Sequence, residues 1–240
     1  MLKPVALLTP RPSPSRDSAL PDWLLASKLE PPLPRTGAVV RGALLAALDQ
    51  AQARPLTLLL APPGFGKTTL LAQWHAQLRA REHAAVAWLS LDEEDADAAR
   101  FLGHLALAIQ HAGADPALCA AVLHNRDQDP REAVTVLIRA LRTAPRRISV
   151  ILDDYDRLGS GIVDELVLRL VEHGGGRLHL LLATRRVPAL PLARLDLQAQ
   201  LSRLGSAQLA LDEHEAQALL GPQVPAPVVD ELLRYTEGWP

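Results

Sequence analysis

Four short and nearly continuous apolar runs punctuate the chain: Leu56 to Ala61 (LTLLLA), Ala85 to Leu91 (AVAWLSL), Ile148 to Asp154 (ISVILDD) and Leu178 to Thr184 (LHLLLAT). Runs of this length without polar alternation read as strands buried on both faces, the habit of a parallel sheet. The segments between them follow a helical period instead. Thr68 to Arg81 turns Leu71, Trp74 and Leu78 to one side, and Ala98 to Ala112 does the same with Phe101, Leu105 and Ile109. Arg131 to Thr143 groups Val134, Leu137, Ile138 and Leu141 behind Asp129-Pro130, which suit the cap and first-turn positions of a helix. Gly161 to His173 groups Leu166, Val167 and Leu170 and stops at a run of three glycines. A lead-in helix is expected from about Gly42 to Ala51, with Leu44, Leu45 and Leu48 in register, and a fifth strand within LSRLGSAQLAL, Leu201 to Leu211. Asp212 with Glu215 makes a capping-box start for two short helices, Glu213 to Leu220 and Ala226 to Thr236. Strands alternating with helices predict an α/β fold: a three-layer αβα sandwich around a five-stranded, mostly parallel sheet, followed by the start of a helical lid.

Composition narrows this little. With 240 residues, 48% hydrophobic and 22% charged, the chain can build one sizeable core. Residues 53–210 are expected to form it, after a leader (1–22) rich in proline, serine and charge and a lead-in segment (23–52), with the lid at 211–240. A formal net charge of −2 gives no global attraction to nucleic acid or anionic lipid. No stretch approaches the roughly 18 uninterrupted apolar residues of a membrane span, and the N-terminus lacks the apolar core of a secretory signal, so a soluble, cytoplasmic chain is expected. The single cysteine, Cys119, lies in the apolar phrase ALCAAVL and reads as a buried, reduced thiol. The histidines, His104, His111 and His124 among them, have no metal-ligand spacing. The acids of LDEEDAD, Leu91 to Asp97, read as a solvated helix start.

Candidate chemistry sits at the strand ends. Behind the first strand stands APPGFGKTT: Pro63, Gly64, Phe65 and Gly66, then Lys67, Thr68 and Thr69 opening a helix. Such a loop lets backbone N–H groups point at phosphates while the helix offers its positive end. Lys67 is placed to bridge β- and γ-phosphates, Thr68 to ligate magnesium and Thr69 to donate near the α-phosphate. Ala61 stands where the pattern has its first glycine, at a junction that tolerates a small side chain. The alternative is a glycine-rich turn that binds nothing. The strand ending in Asp153 and Asp154 has a Walker B pattern, with Asp153 expected on magnesium and Asp154 on the attacking water. A helix-capping aspartate pair is the plainer alternative. After the next strand, Arg185 is the better placed of Arg185 and Arg186 to sense a γ-phosphate; a solvated or structurally paired arginine is equally compatible.

Taken together, the phrases LLASKLEPPLPRTGAVVRGALLAAL, LLLAPPGFGKTTLLAQW, VAWLSLDEEDADAARFLGHLALAIQ, VILDDYDRL, LLLATRRVPALPLARLDLQAQLSRLGSAQLAL and the closing YTEGWP carry a resemblance. From about Leu25 to Pro240 the chain resembles the nucleotide-binding domain of the large ATP-binding LuxR-type transcription activators, the MalT-like group of the STAND class of P-loop NTPases. The resemblance implies that Arg41 helps hold the nucleotide and that Gly238 and Pro240 contact its adenine side. It also implies a longer parent that self-associates in its ATP form and contacts DNA only through a C-terminal helix-turn-helix absent from this chain, whose end at Gly238-Trp239-Pro240 reads as the hinge of a truncated lid.

The expected function is an ATP/ADP switch that binds Mg-ATP and hydrolyses it slowly to control activator assembly. Two alternatives remain: a P-loop kinase acting on a small molecule, hinted at only by Arg185-Arg186, and a nonhydrolysing module that keeps ADP as a structural ligand.

Overall fold

The computed structural model describes residues 23–33, 37–124, 129–159 and 161–239. The leader and Pro240 lie outside the described residues. The elements are α1 (Gly42–Ala51), β1 (Leu56–Leu60), α2 (Lys67–Arg79), β2 (Ala85–Ser90), α3 (Ala98–His111), α4 (Pro116–His124), α5 (Pro130–Thr143) and β3 (Ile148–Asp153). Then follow α6 (Ile162–His173), β4 (Leu178–Thr184), α7 (Leu192–Leu197), β5 (Leu201–Gly205), α8 (Ser206–Leu209), α9 (Glu213–Leu220) and α10 (Ala226–Thr236). The sheet order is β2-β3-β4-β1-β5 and every pairing is parallel, so the expected "mostly parallel" sheet is wholly so.

Adjacent residues of each strand feed opposite layers, which is why the strands read as unbroken apolar runs. Leu58, Leu89, Val150, Leu152, Leu180 and Leu182 pack with α3, α5 and α6 on one face. Leu59, Trp88, Ile151 and Leu181 pack on the other against Leu44, Leu45 and Leu48 of α1 and Leu70, Leu71 and Trp74 of α2. Asp129 caps α5 through the Arg131 N–H with Pro130 in the first turn, and Asp212 and Glu215 cap α9 reciprocally, both as the sequence led one to expect.

Buried polar groups fix the lead-in segment and the sheet's lower end. Lys28, although buried, reaches Asp95 Oδ2 at 2.7 Å and Asp92 Oδ2 at 2.6 Å, while His104 Nδ1 meets Asp95 Oδ1 at 2.8 Å and His104 Nε2 accepts from the Leu25 N–H. Burial alone would raise the Asp95 carboxyl; the hydrogen bonds from His104 and Lys28 outweigh it and hold its pKa at about 2. This corrects the reading of LDEEDAD as a solvated helix start: Asp95 is fully buried and anchors residues 25–28 to α3. His104, given no role from its spacing, is the other half of that anchor. Within the sheet, Ser149 donates to Gln52 Oε1 and so accepts from His179 Nδ1, which leaves His179 Nε2 to accept the Thr57 hydroxyl at 2.9 Å. Burial, with Arg147 nearby, pushes the His179 pKa down to about 3, in keeping with that neutral ring.

Candidate functional site

The sheet order sets β4 between β3 and β1, so the C-terminal ends of three neighbouring strands face one crevice. β1 leads into the glycine loop, β3 ends at Asp153, and β4 ends at Thr184 with Arg185 next. In an open parallel sheet this edge is where ligands gather.

The loop is built on backbone conformations that side chains resist. Gly64 (φ +89°) and Gly66 (φ +73°) are left-handed, and Gly66 is the residue from which α2 springs. Its carbonyl accepts from the Leu70 N–H, which starts the helix. Lys67 is buried, and its ammonium donates to the Ala61 carbonyl at 2.6 Å and the Pro62 carbonyl at 3.0 Å, bending across the mouth of its own loop. Burial, and then the Arg185 charge, lower its pKa.

Thr68 Oγ1 donates to Asp153 Oδ1 at 3.2 Å, joining the loop to the β3 terminus. Burial pushes the Asp153 carboxyl up to about 6 despite that hydrogen bond, and the neighbouring Asp154 charge pushes the same way. A desolvated carboxylate beside a hydroxyl is a hard-oxygen pair suited to Mg²⁺, which takes few protein ligands and completes its shell with water and phosphate. Among the described residues no group of three or more His, Cys, Asp or Glu side chains forms a metal site, so any cation here depends on phosphate oxygens as well.

Asp154 adopts a left-handed conformation (φ 56°, ψ 40°), rare for a residue with a side chain, and this turns its carboxylate out of the strand line. There it meets Arg185 at 3.3 Å and Arg157 at 3.5 Å. Asp156 accepts from the Arg185 backbone N–H at 3.0 Å. Asp154, Asp156 and Arg185 therefore form one cluster at the β3 and β4 ends. Sequence reasoning missed Asp156; its spacing of two from Asp154, across the buried Tyr155, was the available signal.

Arg41, at the start of α1, is buried, where an arginine at a helix start is ordinarily exposed. Its guanidinium donates to the Leu209 and Ala210 carbonyls, each at 2.7 Å, and makes a bidentate pair with Glu215 at 2.7 and 3.1 Å. It thus ties the start of α1 to α8 and α9, beside the loop. Gly238 (φ +74°) accepts the Leu211 N–H at 2.8 Å, and a side chain there would collide with Ala210 and the Leu211 backbone. Trp239, given no role from sequence, lays its indole against Gly64, and its Nε1 donates to the Pro63 carbonyl at 3.4 Å. Phe65 packs against the α1/α2 side of the core. Thr69 and Gln73, one turn apart on α2, face with Arg41 and the loop glycines a cavity of about 310 Å³.

The loop, Thr68, Asp153, Asp154 and Arg185 thus converge, Arg41 lines the cavity beside the loop with Leu211 and Leu219, and Gly238 packs on Ala210 and Leu211. Such an arrangement can receive a polyanion on backbone N–H groups with a cation beside it.

Comparison with known proteins agrees with this geometry. The family model described as AAA domain matches residues 49–187. The chain is 34% identical over 222 residues to the serine/threonine-protein kinase PknK of Mycobacterium tuberculosis, covering 89% of this chain and 20% of that protein. It is 32% identical over 222 residues to the HTH-type transcriptional regulator MalT of Yersinia pestis, covering 90% of this chain and 24% of that one. The chain therefore spans about a fifth to a quarter of the length of these relatives. The crystal structure of Cdc6p from Pyrobaculum aerophilum superposes with a TM-score of 0.54 at 17% identity, over 81% of this chain and 52% of that one, a likeness of fold alone. With the family match spanning more than half of its residues and a five-stranded parallel sheet carrying a glycine loop at the end of β1, the chain belongs to the AAA-domain family of P-loop NTPases.

Proposed function

We propose that this chain is the ATP/ADP-binding switch domain of a bacterial transcriptional regulator acting in the cytoplasm, binding Mg-ATP and hydrolysing it slowly to control assembly of the activator. The observation that carries the reading is the hydrogen bond of Thr68 to Asp153, which brings the loop and the end of β3 together at one hard-oxygen pair. Lys67, drawn from its own carbonyls, meets the β- and γ-phosphates; Gly64 to Thr69 wrap them with backbone N–H groups, and Pro63, which has no N–H, shapes the turn. Thr68 and Asp153 hold Mg²⁺, whose chemistry there is to neutralise phosphate charge. Asp154 orients the attacking water and Arg185 reports the γ-phosphate. Arg41, Gly238 and Pro240 couple the nucleotide to the lid.

A switch needs differential affinity: moving a population from 1:99 to 99:1 takes about 5.5 kcal/mol. The γ-phosphate contacts of Lys67, Asp154 and Arg185 are the source proposed. In a longer parent the ATP form self-associates and DNA is contacted through a separate helix-turn-helix. Mixing purified chain with Mg-ATP and following the bound nucleotide for an hour tests the reading. Slow conversion to retained ADP, lost in Lys67→Ala and Asp154→Asn, is the expected result; rapid multiple turnover or phosphate transfer to a metabolite would sink it. A second reading, an ADP-retaining module without turnover, draws on the two arginines that already engage Asp154. It is the outcome in which nucleotide stays bound and Asp154→Asn changes nothing.

A further inference from the structure

The end of the sheet opposite the crevice carries charge that the site does not use. Arg54, Arg146, Arg147 and Arg177 stand just before β1, β3 and β4, which are neighbours in the order β3-β4-β1, so the four gather at the strands' N-terminal ends. Their guanidiniums are held by backbone carbonyls. Arg147 donates to the Arg54 and Leu178 carbonyls at 3.0 and 3.2 Å, and Arg177 to the Pro145 carbonyl at 3.1 Å. Arg146 donates to the Glu82 carbonyl at 2.7 Å and Arg54 to the Leu201 carbonyl. Among the described residues none of the four forms an ion pair with a carboxylate. Acids that the chain brings to this end are engaged with other arginines: Asp49 with Arg81, Glu172 with Arg194 and Asp196 with Arg203. Four fixed positive charges thus stand together in a chain whose net charge is −2. Arg54, Arg146 and Arg177 are exposed and Arg147 is half-buried, and a guanidinium that gives one or two of its five N–H groups inward keeps the others for a ligand.

We infer that this end of the sheet docks on the phosphate backbone of duplex DNA without reading its sequence. Guanidinium forks fit phosphate oxygens, and forks already fixed by carbonyls lose little freedom on binding. Charge density favours a duplex over an acidic protein segment. The three strands span about 10 Å, over which a duplex carries roughly six phosphate charges and an extended acidic peptide about three carboxylates. A single strand would want aromatic platforms for its bases. Among the described residues the exposed aromatic side chains are Tyr235 and Trp239, on α10 and on the segment after it that rests against the glycine loop. The surface lies away from the crevice, so the inference does not rest on the nucleotide reading. It adds a sequence-independent contact to the helix-turn-helix contact proposed for a longer parent.

The test titrates the chain into a fluorescent duplex of mixed sequence and follows anisotropy at several salt concentrations. If each arginine displaces one counterion, the logarithm of affinity falls against that of salt with a slope of about −3 to −4, roughly a hundredfold loss between about 50 and 200 mM. Arg54→Gln, Arg146→Gln and Arg177→Gln each keep an amide that can donate to the same carbonyl. Each is expected to reduce the slope by about one, and the triple variant to bring it near −1. Arg234→Gln, an exposed arginine on α10, is expected to leave it unchanged. The slope does not depend on the fraction of a variant that is folded. No binding by wild type at about 50 mM salt overturns the inference. So does an equal loss of slope in Arg234→Gln, which would mean diffuse attraction by the whole chain. Polyglutamate bound more tightly than the duplex would assign the arginines to an acidic protein and overturn it too.

Discussion

Asp153 is the residue at which folding and its proposed role pull in opposite directions. Its carboxyl titrates near 3.8 when unfolded and at about 6 in the folded chain, so the native state binds the proton more tightly. Below pH 4 both states are protonated and nothing is lost; as pH rises from about 4 to 6 the native state must carry a desolvated charge, and stability falls. Asp153→Asn in chelator should therefore be more stable than wild type at pH 7.5 by about 2–3 kcal/mol, an advantage that vanishes near pH 4. Denaturant titrations at the two pH values check it; a gap that does not depend on pH would refute it. Asp95 has the opposite sign: its carboxyl is held at about 2, so its contribution is present at neutral pH and lost only as pH falls from about 4 toward 2. Cys119 gives a third residue-level expectation. Burial, with Asp115 adding to it, pushes its thiol up to about 12, so a thiol-reactive disulfide should leave the native protein unlabelled at pH 8 and label it stoichiometrically once unfolded. Which of these behaviours the sequence disclosed depends on distance along the chain. Cys119 in ALCAAVL announced its burial, whereas the pairing of Asp95 with Lys28, 67 residues away, has no local signature.

Between elements, the firmest unexpected link is the Arg41 clasp. One guanidinium holds the end of α8 by two carbonyls and α9 by Glu215, with both side chains nearly buried (10% and 13% exposed). Breaking such a pair from one side leaves the partner charge poorly solvated, at about 2–4 kcal/mol. Arg41→Ala should release α9 and α10 ahead of the rest, seen as early proteolytic cleavage and fast amide exchange confined to residues 206–239. Protection unchanged there would mean that Gly238 and its contact with Leu211 suffice to hold α9 and α10. Most elements were legible from periodicity: α1, α9 and α10 have the expected bounds, and β1 to β4 differ by a residue at most. α4 was missed because PALCAAVLH is apolar nearly all round, leaving no polar face to set a helical period. α7 follows two prolines and has only six residues, too few to display a period. The phrase expected to contain the fifth strand divides at Gly205 into β5 and the short α8.

For the whole molecule, strand order is what local pattern cannot supply. β1 pairs with β4 and β4 with β3, so Leu56 lies beside Leu180 and Leu180 beside Val150, and these two pairings set Arg185 between the glycine loop and Asp154. The residues of the crevice were nonetheless nameable in advance, because each stands at the C-terminal end of a buried run, where a parallel sheet exposes its chemistry. Gln73 and Trp239 were not, since one sits inside a helical pattern and the other between two residues that drew attention first. Trp239 has a consequence of its own. Of the four tryptophans, Trp74 and Trp88 are sealed in the core, while Trp239 is 51% exposed and rests on Gly64. An indole half in water and half on the turn proposed to receive phosphate is an intrinsic fluorophore beside the crevice. Adding Mg-ATP should shift its emission, and Trp239→Phe should abolish the shift, so that the glycine loop and the segment after α10 can be followed by light alone in an unlabelled chain.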